Sequence, residues 1–161
     1  MTWNETIENF SHFLKFERNF SDNTLDAYIR DVKKLKAFSE EKLDNTTPDK
    51  ITFENLQEFL LYLTKEKISE RTQARGISSI KSFFKYLIEE EIREDNPSTL
   101  LEGPKLGLYL PDTLSFEDVE KIIKAIDLST DLGVRNHCII EVLYGCGLRV
   151  SELIELKISD V

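Results

Sequence analysis

Three of the chain's four prolines, Pro97, Pro104 and Pro111, fall within one short stretch, NPSTLLEGPKLGLYLPD, residues 96–112. Proline has no N–H to donate and drives its predecessor out of the helical region, so no helix can run through this stretch. It is expected to be extended and to act as a linker. The chain should therefore fold as two pieces, residues 1–95 and 113–161, each of which has to find a core of its own.

The first piece reads as four amphipathic helices with explicit start signals. Thr2 with Glu5 three residues on is a capping box, followed by Ile7, Phe10 and Leu14 at helical spacing. Ser21 or Asp22 opens a second helix with Leu25, Tyr28, Val32, Leu35 and Phe38 on one face. Thr52 opens a third, with Phe53, Leu56, Leu60 and Leu63 inward, and Ser69 a fourth, with Ile77, Ile80, Phe84, Leu87 and Ile88 inward. Short polar loops between them predict a compact helical bundle able to fold alone.

The second piece predicts three more helices. Ser115, with Asp118 at the third position, caps one whose stripe is Val119, Ile122, Ile123 and Ile126. A sixth is expected from about Val134 to Tyr144, closed by left-handed glycines at Gly145 and Gly147. A seventh begins near Arg149 or Val150. No strand is expected, except for a possible start at ISDV, residues 158–161. About 50 residues rarely bury a full core, so this piece resembles the opening of a larger domain. The predicted class is all-α.

Composition closes off several functions. No apolar run approaches the roughly 20 residues of a membrane span, and the N-terminus has no secretory pattern. Cys138 and Cys146 read as reduced, half-buried thiols, which points to the cytoplasm. His12 and His137 stand alone, with no metal-ligand spacing. The formal charge of −9 by itself argues against a nucleic-acid partner. Its distribution argues otherwise. Residues 65–85 carry +4 and residues 28–36 carry +3, which leaves −16 on the remainder.

Arg71, Arg75, Ser78, Ser82 and Lys85 recur at alternating steps of four and three along the fourth helix, one continuous stripe opposite its apolar face. Long cations interleaved with small hydroxyls suit a phosphate backbone; a solvated helix face that happens to be basic has the same pattern. Arg30, Lys33 and Lys34 on the second helix would extend the surface, and Lys105 is the linker's one cation. Arg149 is a second oddity. A positive charge at a helix N-terminus opposes the helix dipole, and Glu152 one turn on is placed to hold it. Free helix amides with an oriented guanidinium make an anion site, whereas an ordinary surface Arg–Glu pair looks the same in sequence.

The order SDNTLDAYIRDVKKL, SERTQARGISSIKSFFKYLIEE, EDNPSTLLEGPKL, LPDTLSFEDVEKII, IIEVLYGCGLRVSEL resembles the tyrosine site-specific recombinases of the phage integrase family, and most of all their bacterial Xer branch. The likeness covers nearly the whole chain, and YGCGLRVSEL matches the family's first catalytic box.

That resemblance implies a four-helix core-binding domain over 1–95, a linker, and the first helices of a catalytic domain from 113. It implies double-stranded DNA as partner, sister protomers in a tetramer, and work at short paired sites in chromosome segregation and cell division. Arg149 matches the first of two arginines that grip the scissile phosphate, and Glu152 the acidic residue supporting it. The DNA-facing set would be Arg71, Thr72, Arg75, Ser78, Ser82 and Lys85, with Arg30, Lys33, Lys34 and Lys105. Cleavage in the family uses a tyrosine nucleophile and no metal or nucleotide cofactor. Its catalytic lysine, His-x-x-Arg box, later His or Trp, and tyrosine lie downstream of Asp160. None of Tyr28, Tyr62, Tyr86, Tyr109 or Tyr144 has the nucleophile's sequence context. The chain is thus expected to bind DNA without cutting it. Two other readings stay open: a DNA-binding competitor of a full-length recombinase, and an acidic helical protein-interaction module.

Overall fold

The computed structural model describes residues 2–104, 107 and 112–160. It divides into two compact units, residues 1–107 and 108–161, each treated separately below.

In the first unit, helix α1 (Trp3–His12) starts where the sequence places it. The Glu5 amide donates to the Thr2 hydroxyl at 3.4 Å, and the Thr2 amide donates back to the Glu5 carboxylate at 3.0 Å. The helix then widens into a π-helical turn, Phe13–Glu17, which sequence periodicity does not reveal. That turn adds a residue to the cycle and brings Phe13 and Leu14 together into the core, where both are buried. Helix α2 (Asp22–Lys42) follows, then a 3-10 turn, Pro48–Lys50, and α3 (Phe53–Lys65). Helix α3 is capped by Thr52 and closed reciprocally by Asn55. Helix α4 (Glu70–Glu89) is capped by Ser69, whose hydroxyl accepts from the Thr72 amide.

The core is aromatic. Phe83 of α4 meets Phe10 of α1 edge-on at 5.2 Å and stacks near Trp3 at 6.0 Å, while Phe38 of α2 meets Phe59 of α3 at 5.4 Å. Phe59 and Phe83 are fully buried, although the expected stripes left them out. Those stripes follow one line per helix, whereas helices enclosed by three neighbours bury a wider arc. Tyr28, Phe53, Leu60 and Ile88 are only half-buried.

The start of the expected linker is not extended. Pro97 and Ser98 are buried in a turn over Pro97–Leu100, and Leu101 joins the core of the first unit. The cause is Asn96, whose side-chain oxygen accepts from both the Ser98 amide (2.9 Å) and the Ser98 hydroxyl (2.6 Å). This local turn uses the fixed φ of Pro97 to bend the chain rather than to extend it. Lys105 lies outside the described residues.

In the second unit, α5 (Phe116–Lys124) has the expected box between Ser115 and Asp118. Helix α6 (Asp131–Cys146) starts earlier than its apolar run, because Thr130 caps it by accepting from the Gly133 amide at 3.1 Å. A Cβ on Gly133 would collide with the Asp127 carbonyl oxygen, so the turn into α6 requires glycine there. Gly147 takes the left-handed conformation (φ 64°) that ends α6, while Gly145 lies inside the helix. Helix α7 (Val150–Glu155) precedes a 3-10 turn, Ile158–Asp160, where a strand start had been possible. Asp160 accepts from the Lys157 amide at 3.0 Å and curls the chain. Cys138 and Cys146 are free thiols and exposed, not half-buried. Among the described residues of this unit, Val119 and Gly133 alone are buried.

Candidate nucleic-acid interface

Side chains 71, 75, 78, 82 and 85 share one face of α4, as their spacing requires. The structure gives them different surroundings. Arg71, Ser78 and Lys85 are exposed, and Ser82 and Arg75 are half-buried. Lys85 lies 3.6 Å from Glu89 one turn on, a solvated pair worth little energetically. Ser78 donates back to the Ala74 carbonyl at 3.2 Å. Thr72 lies off the stripe, and its hydroxyl accepts from that of Ser69 at 2.9 Å as part of the helix cap.

Arg75 is not a loose cation. Its Nε and Nη2 each donate at 3.0 Å to separate oxygens of Asp31, a carboxylate of α2 that is 3% exposed. The Ser79 hydroxyl donates to the same carboxylate at 3.0 Å, and Lys34 Nζ stands 3.9 Å away. The bond to Asp31 pushes the Arg75 guanidinium above its ordinary pKa. Removing Arg75 would leave the buried Asp31 carboxylate without its bidentate partner and destabilise the unit, though solvent at the 39% exposed Arg75 side chain screens part of the effect. Sequence reading registered Asp31 only as one charge against its basic neighbours. Its spacing to Val32 and Leu35 on the buried side of α2 was the available signal.

The three α2 cations do not form one patch. Lys34 and Thr72 line the same small cleft as Asp31 and Gly76, beside the first turns of α4. Lys33 lines a groove against α1, with Asn4, Ile7 and Glu8. Arg30 is exposed.

In the second unit, Arg149 is the N-cap residue of α7. Its backbone amide donates to Glu152 Oε2 at 2.7 Å and its Nη1 donates to Oε1 at 2.8 Å. Those bonds hold the Glu152 carboxyl below its ordinary range. The Arg149 side chain is 82% exposed and oriented from one side only. Among the described residues, no group of three or more His, Cys, Asp or Glu side chains is placed to hold a metal ion.

A family model described as "Phage integrase, N-terminal SAM-like domain" matches residues 7–91, more than half of the chain. The chain belongs to the phage integrase family. A second model, "Phage integrase family", matches residues 112–161. Among curated phage integrase relatives, the tyrosine recombinase XerD of Oceanobacillus iheyensis is 43% identical over 155 residues, which are 96% of this chain and 52% of that protein. The XerD of Listeria innocua is 38% identical over 158 residues, 98% of this chain and 53% of that protein. The chain thus spans about half the length of the curated relatives it matches. Among solved structures, XerA recombinase is similar at a TM-score of 0.51 and 30% identity, over 99% of this chain and 52% of that one. The Tn1549 transposon integrase, solved in complex with a circular intermediate DNA, shares the fold at a TM-score of 0.65 and 19% identity, over 100% of this chain and 50% of that one.

Within this phage integrase chain, two cations outside the expected set bridge distant parts of the first unit. Arg18 donates from Nη2 to both Glu89 oxygens (2.8 and 3.0 Å), joining the π-turn to the end of α4. Arg93 donates from Nη1 to the carbonyls of Pro48 (3.0 Å) and Ile51 (2.8 Å). Pairing rules over three or four residues cannot find these contacts, because the partners stand 71, 45 and 42 positions apart.

Proposed function

We propose that this chain is the DNA-binding portion of a Xer-type tyrosine recombinase, acting in the cytoplasm on chromosomal or mobile-element DNA. One observation carries the reading: in a chain of net charge −9, α4 presents Arg71, Ser78 and Lys85 on one exposed face, with Arg75 between them. Exposed cations segregated on one helix face suit phosphate contacts in a chain otherwise so acidic. The similarity to XerD proteins over almost the full chain supports it.

In this reading the first unit supplies affinity through α4, with Arg30 and Lys34 at its margin. Arg149 grips the scissile phosphate, and Glu152 fixes the guanidinium against its own helix end. Sister protomers would assemble on paired sites, and strand cleavage requires groups beyond those of this chain. In this reading the 161 residues bind duplex DNA through the basic face of α4.

The test is fluorescence anisotropy on short duplexes across salt concentrations, for the chain and for the double variant Arg71→Glu/Lys85→Glu. Reversal at Arg75 is avoided because it would set a second carboxylate against buried Asp31. We expect affinity to fall steeply with salt, and the log–log slope to drop by about one for each lost phosphate contact. Absence of binding at ~50 mM salt, where such contacts are strong, would instead support a protein-interaction module.

A further inference from the structure

We propose that Asp31 is a positioning residue for DNA binding: it holds the Arg75 guanidinium in a fixed plane on the α4 face so that its remaining N–H groups meet a backbone phosphate. The inference rests on the DNA-binding reading of α4 and adds to it a residue of the wrong charge for the job.

Three observations converge. The Asp31 carboxylate is almost wholly buried, yet each of its oxygens is used: Oδ1 accepts from Arg75 Nη2, and Oδ2 from Arg75 Nε and the Ser79 hydroxyl, all at 3.0 Å. Arg75 itself is not buried; its side chain is 39% exposed. A guanidinium has five N–H groups in one plane, and the side-on pair engages Nε and one N–H of Nη2. The N–H groups of Nη1 and the second of Nη2 have no acceptor among the described residues. With the side chain 39% exposed, these donors are open to a ligand as well as to water. The stripe neighbour Ser78 is exposed and Ser82 half-exposed, so these donors stand in a row of hydroxyls and cations.

Holding the plane changes what the arginine can do. An unrestrained arginine loses side-chain freedom on meeting a phosphate, whereas one already clamped loses less for each bond formed. The carboxylate also offsets the arginine's charge, so the pair adds geometry to the surface while adding little net charge. The two effects of removing Asp31 therefore have opposite signs. Electrostatics alone predicts that the less negative protein binds DNA more tightly and with a steeper salt dependence. Positioning predicts that it binds more weakly.

The experiment is a double-mutant cycle read by anisotropy on a short duplex at several salt concentrations, using wild type, Asp31→Asn, Arg75→Gln and the double variant, each corrected for its folded fraction by circular dichroism. We expect Asp31→Asn to weaken binding ~10-fold although it removes a negative charge, and to weaken it no further once Arg75 is Gln. Binding by Asp31→Asn equal to or tighter than wild type overturns the inference, as does a loss of equal size in the Arg75→Gln background. If Asp31→Asn does not fold, Arg75→Lys decides. It keeps the charge but cannot form the side-on pair, so a ~5–10-fold loss supports positioning and unchanged affinity overturns it. Failure of wild type to bind at all is a separate outcome, which removes the DNA-binding reading itself.

Discussion

Glu152 accepts from Arg149 twice, once from its backbone amide and once from its guanidinium, at 2.7 and 2.8 Å. The same carboxylate thus closes the helix end that Arg149, as a cation, would otherwise disfavour. Equivalent acidic closures stand at Glu5 on α1 and Asp118 on α5.

These closures predict a pH dependence with a definite sign. Hydrogen bonds from Thr2, Ser115 and Arg149 lower the pKa values of Glu5 and Asp118 and of Glu152 from the ordinary 4.5 for Glu and 3.8 for Asp. Each carboxylate is therefore favoured by the folded state. Its contribution is complete above the ordinary value and is lost as pH falls through the lower, folded one. Carbon-detected NMR titration should give midpoints below the ordinary values, with the Thr2, Ser115 and Arg149 amide shifts moving in step. Midpoints at the ordinary values would mean the caps are open in solution.

Arg93 should be a costly position despite its charge. Its side chain is 6% exposed, serves two carbonyls and the Asp95 carboxylate, and lies 5.5 Å over the Phe84 ring. Arg93→Ala leaves the Pro48 and Ile51 carbonyls without this donor, and is expected to destabilise the first unit by ~2–4 kcal/mol. Arg93→Lys should recover only part, because one ammonium cannot reproduce the planar fork. Urea unfolding followed by Trp3 fluorescence measures both, and an alanine variant within ~0.5 kcal/mol of wild type, the range of ordinary surface changes, would show these bonds to be incidental.

Phe83 is the aromatic hub, within 6.5 Å of the rings of Trp3, Phe10, Phe84 and Tyr86. Truncation to alanine should cost ~3–5 kcal/mol, since α1 and α4 meet across it and cannot close the void. Phe83→Leu, which keeps most of the volume, should cost clearly less. Equal losses in the same urea assay would point to ring geometry rather than filled space as the stabilising term.

The two units should differ sharply in hydrogen exchange. In the second, Phe116, Val134, Val150, Ile154 and Ile158 are exposed, and Val119 is the one buried large apolar side chain among the described residues. Little apolar surface leaves water there, so local opening is cheap. Amides of α5, α6 and α7 should exchange at least ~100-fold faster than those of α4, a difference of about 2.7 kcal/mol in opening free energy. Comparable protection would mean that this apolar surface is covered in solution, as by self-association.

The sequence by itself determined the helical class, the order of the helices and most of their starting points. Those features depend on contacts within three or four residues: Thr2 with Glu5, Thr52 with Asn55, Ser115 with Asp118. It also separated the basic stripe from the acidic remainder, because spacing along α4 fixes which residues share a face. The tertiary structure alone decided which stripe residues are exposed and which are engaged. Nothing near Arg75 in the sequence marks its pairing, because Asp31 lies 44 positions away and meets it only where α2 packs against α4. The π-turn after α1, the burial of Leu101 beyond the Asn96 bend and the buried role of Arg93 were hidden for the same reason. Each depends on a bond or a packing demand set by distant chain, and local periodicity carries no record of it.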